Sequence, residues 1–246
     1  MNKIHYLLLI NLLILQACAV EDQVIWQIGE DNNSGAEFAL SPDAYSRYIE
    51  KDFGWEDKYF LVGKSDPQVD WPYIIPGTSD TWGGTWGTSG WRSSTLNILF
   101  GVDKMPGSGS WKLTIDLLDW NAEDPPLFKV IVNGKARKFR LPEIDISSID
   151  DQPEPGSEYL IEIPLCRDDL RIGGNQVHLT TLEGSWIKFD QIKLEGPEST
   201  MLREDEHIHL RGVKAADYEI MADGKRYQPL LVDLEHLDLS LIHISE

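Results

Sequence analysis

Apolar and polar residues alternate in short runs along most of the chain, a pattern typical of strands that bury one face. In Trp111–Leu117 every second residue is apolar. In Trp186–Leu194 the alternation slips by one residue, which indicates a β-bulge or a strand buried on both faces. Asn133-Gly134 lies between two strand-like runs and predicts a tight hairpin, since both residues tolerate positive φ. Helical periodicity is scarce, and the pattern predicts one short helix over Pro42–Lys51.

The strand-like runs extend over residues 24–195 and are separated by turn residues, so we expect an all-β domain. Many short strands with this spacing predict an antiparallel β-sandwich or jelly roll. Gly196–Ser199 has the composition of a linker, and residues 196–238 are interpreted as this linker and the start of a second, truncated β domain. Residues 239–246, LSLIHISE, resemble a translated sequencing adapter and are interpreted as an artefact at the end of a fragment.

The N-terminus has the features of a secretion signal. A basic start, a short apolar run and small residues before Cys18 predict a signal peptide over residues 1–17, followed by a tether over 18–23. The sequence Leu15-Gln16-Ala17-Cys18 resembles the lipobox of bacterial lipoproteins, in which the cysteine is lipidated. This predicts a protein anchored in the cell envelope, on the periplasmic or surface face of the outer membrane, with its lipid as its membrane contact. An ordinary cleaved signal with an incidental Cys18 is the alternative.

Charge narrows the classes of partner. The chain has 246 residues and a formal net charge of −19, with an isoelectric point near 4.6. This balance argues against binding to nucleic acid or to anionic lipid, because like charges repel. Neutral glycans meet no such barrier. The two cysteines supply neither a disulfide framework nor a zinc motif.

Aromatic residues are concentrated in Trp71–Trp91, WPYIIPGTSDTWGGTWGTSGW. Gly and Pro break regular structure, so the segment is predicted to be a loop. An exposed indole offers a flat face for stacking and an N–H for hydrogen bonding, which suits a sugar ring. The alternative is that the rings fold inward and form a small second core under the loop. The predicted carbohydrate contacts are Trp71, Tyr73, Trp82, Trp86, Trp91, Arg92, Trp120 and Asn121.

Carboxylates are abundant, with 41 acidic residues in the chain. Asp119, Glu123 and Asp124 flank Trp120 and could be paired on paper as glycosidase carboxylates. A solvated acidic loop explains them as well, so no catalytic residue is predicted. The oxygen-rich run Asp31–Gly35 could supply Ca²⁺ ligands from Asp31 and Asn33, although it lacks the length of an EF-hand loop. An Asx-type turn is the alternative for this run.

Three groups of residues carry a resemblance to a known family. They are Ile28-Gly29-Glu30-Asp31-Asn32 with Glu37-Phe38, the Val130–Gly134 hairpin, and Gly174–Leu179 leading into Ser185–Glu195. Their order is similar to that in the C-terminal β-sandwich module of rhamnogalacturonan lyases and in galactose-binding-like modules of polysaccharide-degrading enzymes. The resemblance implies a jelly-roll carbohydrate-binding module without its own catalysis. It also implies a structural Ca²⁺, to which Asp190 would contribute.

These observations lead to one functional hypothesis and an alternative. The hypothesis is a non-catalytic carbohydrate-binding module at the N-terminus of a larger secreted enzyme, a polysaccharide lyase or a glycoside hydrolase acting on plant-type glycan. Such a module raises the effective concentration of a C-terminal catalytic domain at the polymer. The alternative is a structural spacer that packs its Trp-rich loop on that catalytic domain.

Overall fold

The computed structural model describes residues 22–54, 58–84, 94–143, 159–203 and 208–236. Cys18, Trp86, Trp91, Arg92 and residues 239–246 lie outside these ranges, so the predictions made for them stay predictions. In the part of the chain that is described, no helix is both long enough and apolar enough to cross a membrane.

Strands dominate the described residues. They are β1 (Asp22–Gly29), β2 (Tyr59–Leu61), β3 (Ile74–Ile75), β4 (Thr95–Lys104), β5 (Ser110–Trp120), β6 (Leu127–Val132), β7 (Lys135–Arg140), β8 (Tyr159–Cys166), β9 (Gly173–Glu183), β10 (Ile187–Pro197), β11 (Met201–Arg203), β12 (Ile208–Ala215), β13 (Ile220–Ala222), β14 (Lys225–Tyr227) and β15 (Leu230–His236). One α-helical turn, α1 (Pro67–Asp70), and 3₁₀ turns at Ala44–Arg47, Thr81–Gly83 and Arg167–Asp169 complete the elements.

Two sheets form the main body. The first, here called sheet A, has the order β1-β10-β5-β8, with β3 also paired to β10, and its pairs are antiparallel. The second, sheet B, has the order β11-β4-β9-β6-β7, and β2 runs parallel to β4 at its edge. β10 and β11 extend the paired strands beyond residue 195, so Gly196 and Pro197 belong to sheet A rather than to a linker.

The inward faces of the two sheets meet in one hydrophobic core. Trp26 of sheet A and Phe100 of sheet B have ring centroids 5.3 Å apart, and Phe128 and Phe189 bridge the sheets at 6.5 Å. Along β5 the residues with odd numbers from 111 to 117 are fully buried in this core, as the alternation predicts. The predicted antiparallel β-sandwich is therefore confirmed.

Local signals fared differently. The hairpin at Asn133-Gly134 is present, with φ values of 48° and 87°. β10 carries the predicted irregularity, because its register with β5 shifts on either side of Phe189. The helix predicted over Pro42–Lys51 is wrong, since only Ala44–Arg47 forms a 3₁₀ turn. The ring of Tyr48 in this segment is fully buried and packs on Phe53, with the ring centroids 5.6 Å apart.

The last described strands pair among themselves. β12 pairs with β15, and β13 pairs with β14. Apolar side chains on them are exposed, among them Met221, Leu230, Val232 and Leu234. Two-stranded sheets bury little surface on their own. The interpretation of this stretch as the start of a second domain stays a prediction.

Candidate functional site

The first half of the Trp-rich segment is core, which corrects the expectation for two predicted sugar contacts. Trp71 is 1% exposed, and its ring makes edge contacts with Phe60 and Phe189 at 5.8 and 5.9 Å. Tyr73 is 4% exposed, and its backbone is fixed by bonds to Ala39 and Phe189. Apolar rings of this size are driven inward by the surface that they bury. Neither ring offers a face to a sugar.

Trp120 and Asn121 also lie in structural roles. Trp120 is 3% exposed, its ring packs on Tyr159 at 4.9 Å, and its indole N–H donates to the Pro142 carbonyl at 3.0 Å. The side-chain oxygen of Asn121 accepts the backbone N–H groups of Glu123 and Asp124, which closes an Asx turn. Trp120 is therefore not a stacking platform, and the Asn121 oxygen is engaged by its own turn.

Trp82 is less deeply buried than Trp71 and Trp120. It is half-buried and makes edge contacts with Tyr45 at 5.1 Å and Tyr48 at 5.7 Å. Tyr48, Phe53 and Ala39 form a small second cluster against which Trp82 packs. This arrangement matches the alternative in which rings of the segment build a second core. The other predicted contacts of the segment, Trp86, Trp91 and Arg92, lie outside the described residues.

A polar cleft lies on the outer face of sheet A, opposite the core. Its lining is contributed by β5, β8, β10 and the turn after β1, and its volume is about 100 Å³. A water molecule occupies roughly 10–15 Å³ of such space, so the cleft has room for several waters or the edge of one sugar ring. The lining residues are Asp31, Lys112, Thr114, Asp116, Leu160, Glu162, Gln191 and Lys193.

Strand register arranges the cleft in rows. Asp116 of β5 stands between Leu160 of β8 and Gln191 of β10. Two residues along β5 Thr114 stands between Glu162 and Lys193, on the same face because side chains repeat every second residue. The cleft therefore presents carboxylate, amide, hydroxyl and ammonium groups side by side.

At the end of the cleft away from Asp116, lysine and glutamate side chains pair with one another and neutralise each other's charge. The Lys112 ammonium lies 2.9 Å from Glu162 and 3.4 Å from Glu195, and Lys193 contacts the other oxygen of Glu195 at 3.5 Å. Hydrogen bonding to Glu162 is the chief cause that raises the pKa of Lys112, so this ammonium stays charged. These partly exposed pairs position the side chains more than they stabilise the fold.

Three aspartates converge at the opposite end. One oxygen each from Asp31, Asp116 and Asp190 lies within 4.8 Å of the other two. Asp116 and Asp190 are 3% and 1% exposed, while Asp31 faces solvent. The three come from the turn after β1, from β5 and from β10, so only the folded sandwich brings them together. Hereafter they are called the aspartate cluster.

Asp190 has a second task, which is to hold the turn that carries Asp31. Its carboxylate accepts the backbone N–H of Asn33 at 3.2 Å and of Ser34 at 2.9 Å. Asn33 has a φ of 56°, as expected in a tight turn. The turn approaches closely because Gly29 has no side chain: a Cβ there would lie 2.4 Å from the Asp190 carbonyl oxygen. Asp190, which the resemblance implies as a ligand, thus also holds the run Asp31–Gly35 against β10.

Burial affects the charge of this carboxylate. Burial is the chief cause that raises the pKa of Asp190 above its usual value, while bonds from the backbone of Ser34, Asn33 and Asn32 oppose it. A carboxylate offers about four lone-pair sites, so three such bonds leave capacity for another partner. Carboxylate oxygens are the ligands that Ca²⁺ and Mg²⁺ prefer. The donor set fits the Ca²⁺ ion that the family resemblance implies.

The sequence indicated two members of the cluster and missed the third. Asp31 and Asp190 were predicted together with Asn33, whereas the structure adds Asp116 and the neighbouring Thr114. The available signal was the alternation along β5, which turns Thr114 and Asp116 to the outer face. It says nothing about which turn covers that face, so the meeting with Asp31 was not predictable.

A known protein family matches most of the sandwich. Residues 24–194 match the family model described as CBM-like, polysaccharide lyase family 4, domain III. This range includes strands of both sheets and all three members of the aspartate cluster. No curated protein sequence matches the chain significantly.

Several solved structures are similar over part of the chain. A family 35 carbohydrate-binding module of Abf62 from Cellvibrio japonicus has 18% identity and a TM-score of 0.32, covering 47% of this chain and 73% of its own. A family 35 module from an environmental isolate has 11% identity and a TM-score of 0.33, covering 46% and 73%. A family GH115 4-O-methyl-α-glucuronidase with specificity for decorated arabinogalactans has 18% identity and a TM-score of 0.30. The match covers 42% of this chain but only 13% of that enzyme.

Proposed function

The chain belongs to the CBM-like domain III family of polysaccharide lyase family 4, and from this premise we propose that its sandwich is a non-catalytic carbohydrate-binding module. The observation that carries the proposal is the extent of the family match, residues 24–194, which takes in both sheets and the core between them. The fold in turn supplies a polar cleft on the outer face of sheet A.

The chemistry of the cleft suits a sugar. Sugar hydroxyls both donate and accept hydrogen bonds, and the cleft presents acceptors at Asp116 and Glu162, donors at Lys193, and both kinds at Gln191. Leu160 is 48% exposed beside them and gives the apolar contact that a sugar ring also needs. We therefore place the glycan in this cleft, in contrast to the buried rings of Trp71, Tyr73 and Trp120.

The wider setting follows as part of the proposal. The module would lie at the N-terminus of a secreted polysaccharide lyase or glycoside hydrolase that is lipidated at Cys18 and anchored in the cell envelope. Holding the enzyme on plant-type glycan raises the local concentration of its catalytic domain without any new catalytic contact. The net charge of −19 favours neutral polymers over polyanionic ones.

The test is affinity electrophoresis of the full chain in gels that contain neutral or pectic polymers. We expect one class of polymer to retard the protein. Glu162→Gln should weaken the retardation several-fold, because it alters the cleft. The matched control is Glu183→Gln, which changes an exposed glutamate that pairs with Arg140 on sheet B.

Each outcome is decisive for one part of the proposal. If a folded chain is retarded by none of the polymers, carbohydrate binding is overturned and the spacer alternative is favoured. If the wild type is retarded and Glu162→Gln is retarded as strongly as the control Glu183→Gln, the glycan binds outside this cleft. The segment that holds Trp86 and Trp91 is then the next region to mutate. Near-UV circular dichroism establishes that each protein is folded.

A further inference from the structure

One part of sheet B has the opposite charge balance to the rest of the chain. The neighbouring strands β6, β7 and β9 contain five lysine and arginine residues, one on β6 and four on β7, but a single carboxylate, that of Glu183. The chain as a whole has 41 acidic residues against 22 lysines and arginines. A surface of this sign within an acidic protein favours an anionic partner.

Three of the five basic side chains are paired within the fold. Lys135 and Arg137 lie 2.8 and 3.8 Å from carboxylate oxygens of Asp169. Arg140 pairs with Glu183. The charges of these three side chains are therefore already engaged by carboxylates of the protein.

The other two, Lys129 and Lys138, form no ion pair with any residue that the structure describes. They stand directly opposite each other on the outer face of sheet B, since Val130 between the rows turns into the core. Like charges in this position, with Cβ atoms about 4.5–5.5 Å apart, destabilise a sheet. Lysines on an edge strand commonly prevent the addition of another strand. That role fits Lys138 on β7 but not Lys129, because β6 lies inside the sheet between β9 and β7.

The row of side chains beside the two lysines suits a sugar ring. On the same face, Ile131 stands between Ala136 of β7 and His178 of β9. Ile131 is half-buried and Ala136 is small and exposed, so this part of the face is low and apolar. The two rows are about 6.8 Å apart, because a strand rises about 3.4 Å per residue. A sugar ring that lies on the apolar row can therefore place a carboxylate between Lys129 and Lys138.

We propose that Lys129 and Lys138 bind the carboxylate of an acidic sugar residue whose ring lies on Ile131 and Ala136. This inference rests on the proposed function and adds a second contact, on the sheet opposite to the polar cleft. The Debye length is about 10 Å at 0.1 M salt, so the two lysines attract a single carboxylate while most of the net charge of −19 is screened. A polymer charged at every residue extends beyond these lysines and meets the acidic remainder of the protein. The glycan is therefore a largely neutral polymer that carries isolated uronate residues.

The test compares polymers that carry isolated uronate groups with their own neutral forms. Glucuronoxylan and arabinogalactan are used as they are and after chemical reduction of their carboxylates to alcohols, in affinity electrophoresis of the full chain. We expect the native form to bind the protein about fivefold more tightly than the reduced form. The difference should shrink as NaCl rises from about 20 to about 300 mM, because exposed ion pairs are screened by salt. Lys129→Gln and Lys138→Gln should each lower the preference about twofold.

The matched control is Lys104→Gln, which removes the same charge from an exposed lysine at the end of β4 in the same sheet. If it lowers the preference as much as Lys138→Gln does, the overall charge attracts the carboxylate and the inference is wrong. Equal retardation by the native and reduced polymers would overturn this inference and leave the proposed function intact. Retardation by neither form would overturn both.

A measurement without glycan tests whether Lys138 has a stabilising contact within the fold. Lys138→Gln should leave Tm unchanged or raise it by about 1–2 °C, because it removes the repulsion with Lys129. A fall in Tm larger than that caused by Lys104→Gln would show that Lys138 stabilises the fold through a contact of its own. The inference would then lose the unbalanced pair of charges on which it depends and would be wrong.

Discussion

The Trp-rich segment and the outer face of sheet A differ in how far their sequence reveals their role. The first is conspicuous in sequence, yet its described aromatic rings turn inward: Trp71 and Tyr73 are core, and Trp82 packs on a small cluster of rings. The second consists of ordinary alternating residues, yet it forms the polar cleft and the aspartate cluster. Residue type alone did not tell which way a side chain points, whereas the alternation along a strand did.

The largest effect expected is that of Trp71→Ala. Removing a fully buried indole leaves a cavity between Phe60 and Phe189 and should lower the free energy of unfolding by about 3–5 kcal/mol. Urea denaturation followed by circular dichroism measures it. The comparison breaks if this variant keeps its stability and loses glycan binding instead, because Trp71 would then be a sugar platform. Trp82→Ala, at a half-buried position, should lower the free energy of unfolding by clearly less than Trp71→Ala does.

A pair of glycine variants measures how tightly the turn after β1 is packed against β10. Gly29 and Gly63 have similar φ values of 83° and 86°, but only at Gly29 would a Cβ meet backbone, the Asp190 carbonyl, at 2.4 Å. Gly63→Ala should therefore cost only the strain of positive φ, about 1 kcal/mol. Gly29→Ala should cost about 2–3 kcal/mol, since the turn must also move away from β10. Equal losses in urea denaturation would mean that the turn is free to shift.

Two buried aspartates offer a contrast in pH dependence. Burial opposes the ionisation of Asp169, but bonds from Lys135 and from the Cys166 backbone, both 2.8 Å, help to hold its pKa at about 2. Its folded pKa is below the unfolded value, so the stability that its charge contributes is present above about pH 4 and is lost as the pH falls toward 2. Asp190, with its raised pKa, is the opposite case.

The variant Asp169→Asn tests this contrast. At neutral pH we expect it to be less stable than the wild type by about 1–2 kcal/mol, because charge-assisted bonds to a partly exposed lysine are lost. Urea denaturation at several pH values should show the gap closing between about pH 4 and 2. A gap that stays constant down to pH 2 would show that the charge of Asp169 contributes nothing.

Sequence predicted what depends on neighbouring residues. The Asn133-Gly134 hairpin and the irregularity in β10 follow from local preferences for φ and from alternation, and both are present. What failed depends on contacts between distant residues. The helix over Pro42–Lys51 yielded to packing around Tyr48, and Asp116 joined Asp31 only because the turn after β1 folds over β5. Tertiary contacts of this kind leave no periodic trace in one sequence.

The smallest change in stability is expected from a comparison of two buried threonine hydroxyls, one with a hydrogen-bond partner and one without a partner among the described residues. Thr114 and Thr180 are both 4% exposed on central strands, but the Thr180 hydroxyl bonds to Thr95 at 3.1 Å while that of Thr114 has no partner among the described residues. In EDTA, Thr180→Val should cost about 1 kcal/mol, whereas Thr114→Val should change stability by less than about 0.5 kcal/mol. In saturating Ca²⁺ the order should reverse, since Thr114→Val then loses a ligand. A substantial loss of stability in Thr114→Val already in EDTA would mean that the hydroxyl has a hydrogen-bond partner within the fold. Thr114 would then give no support to metal binding at the aspartate cluster.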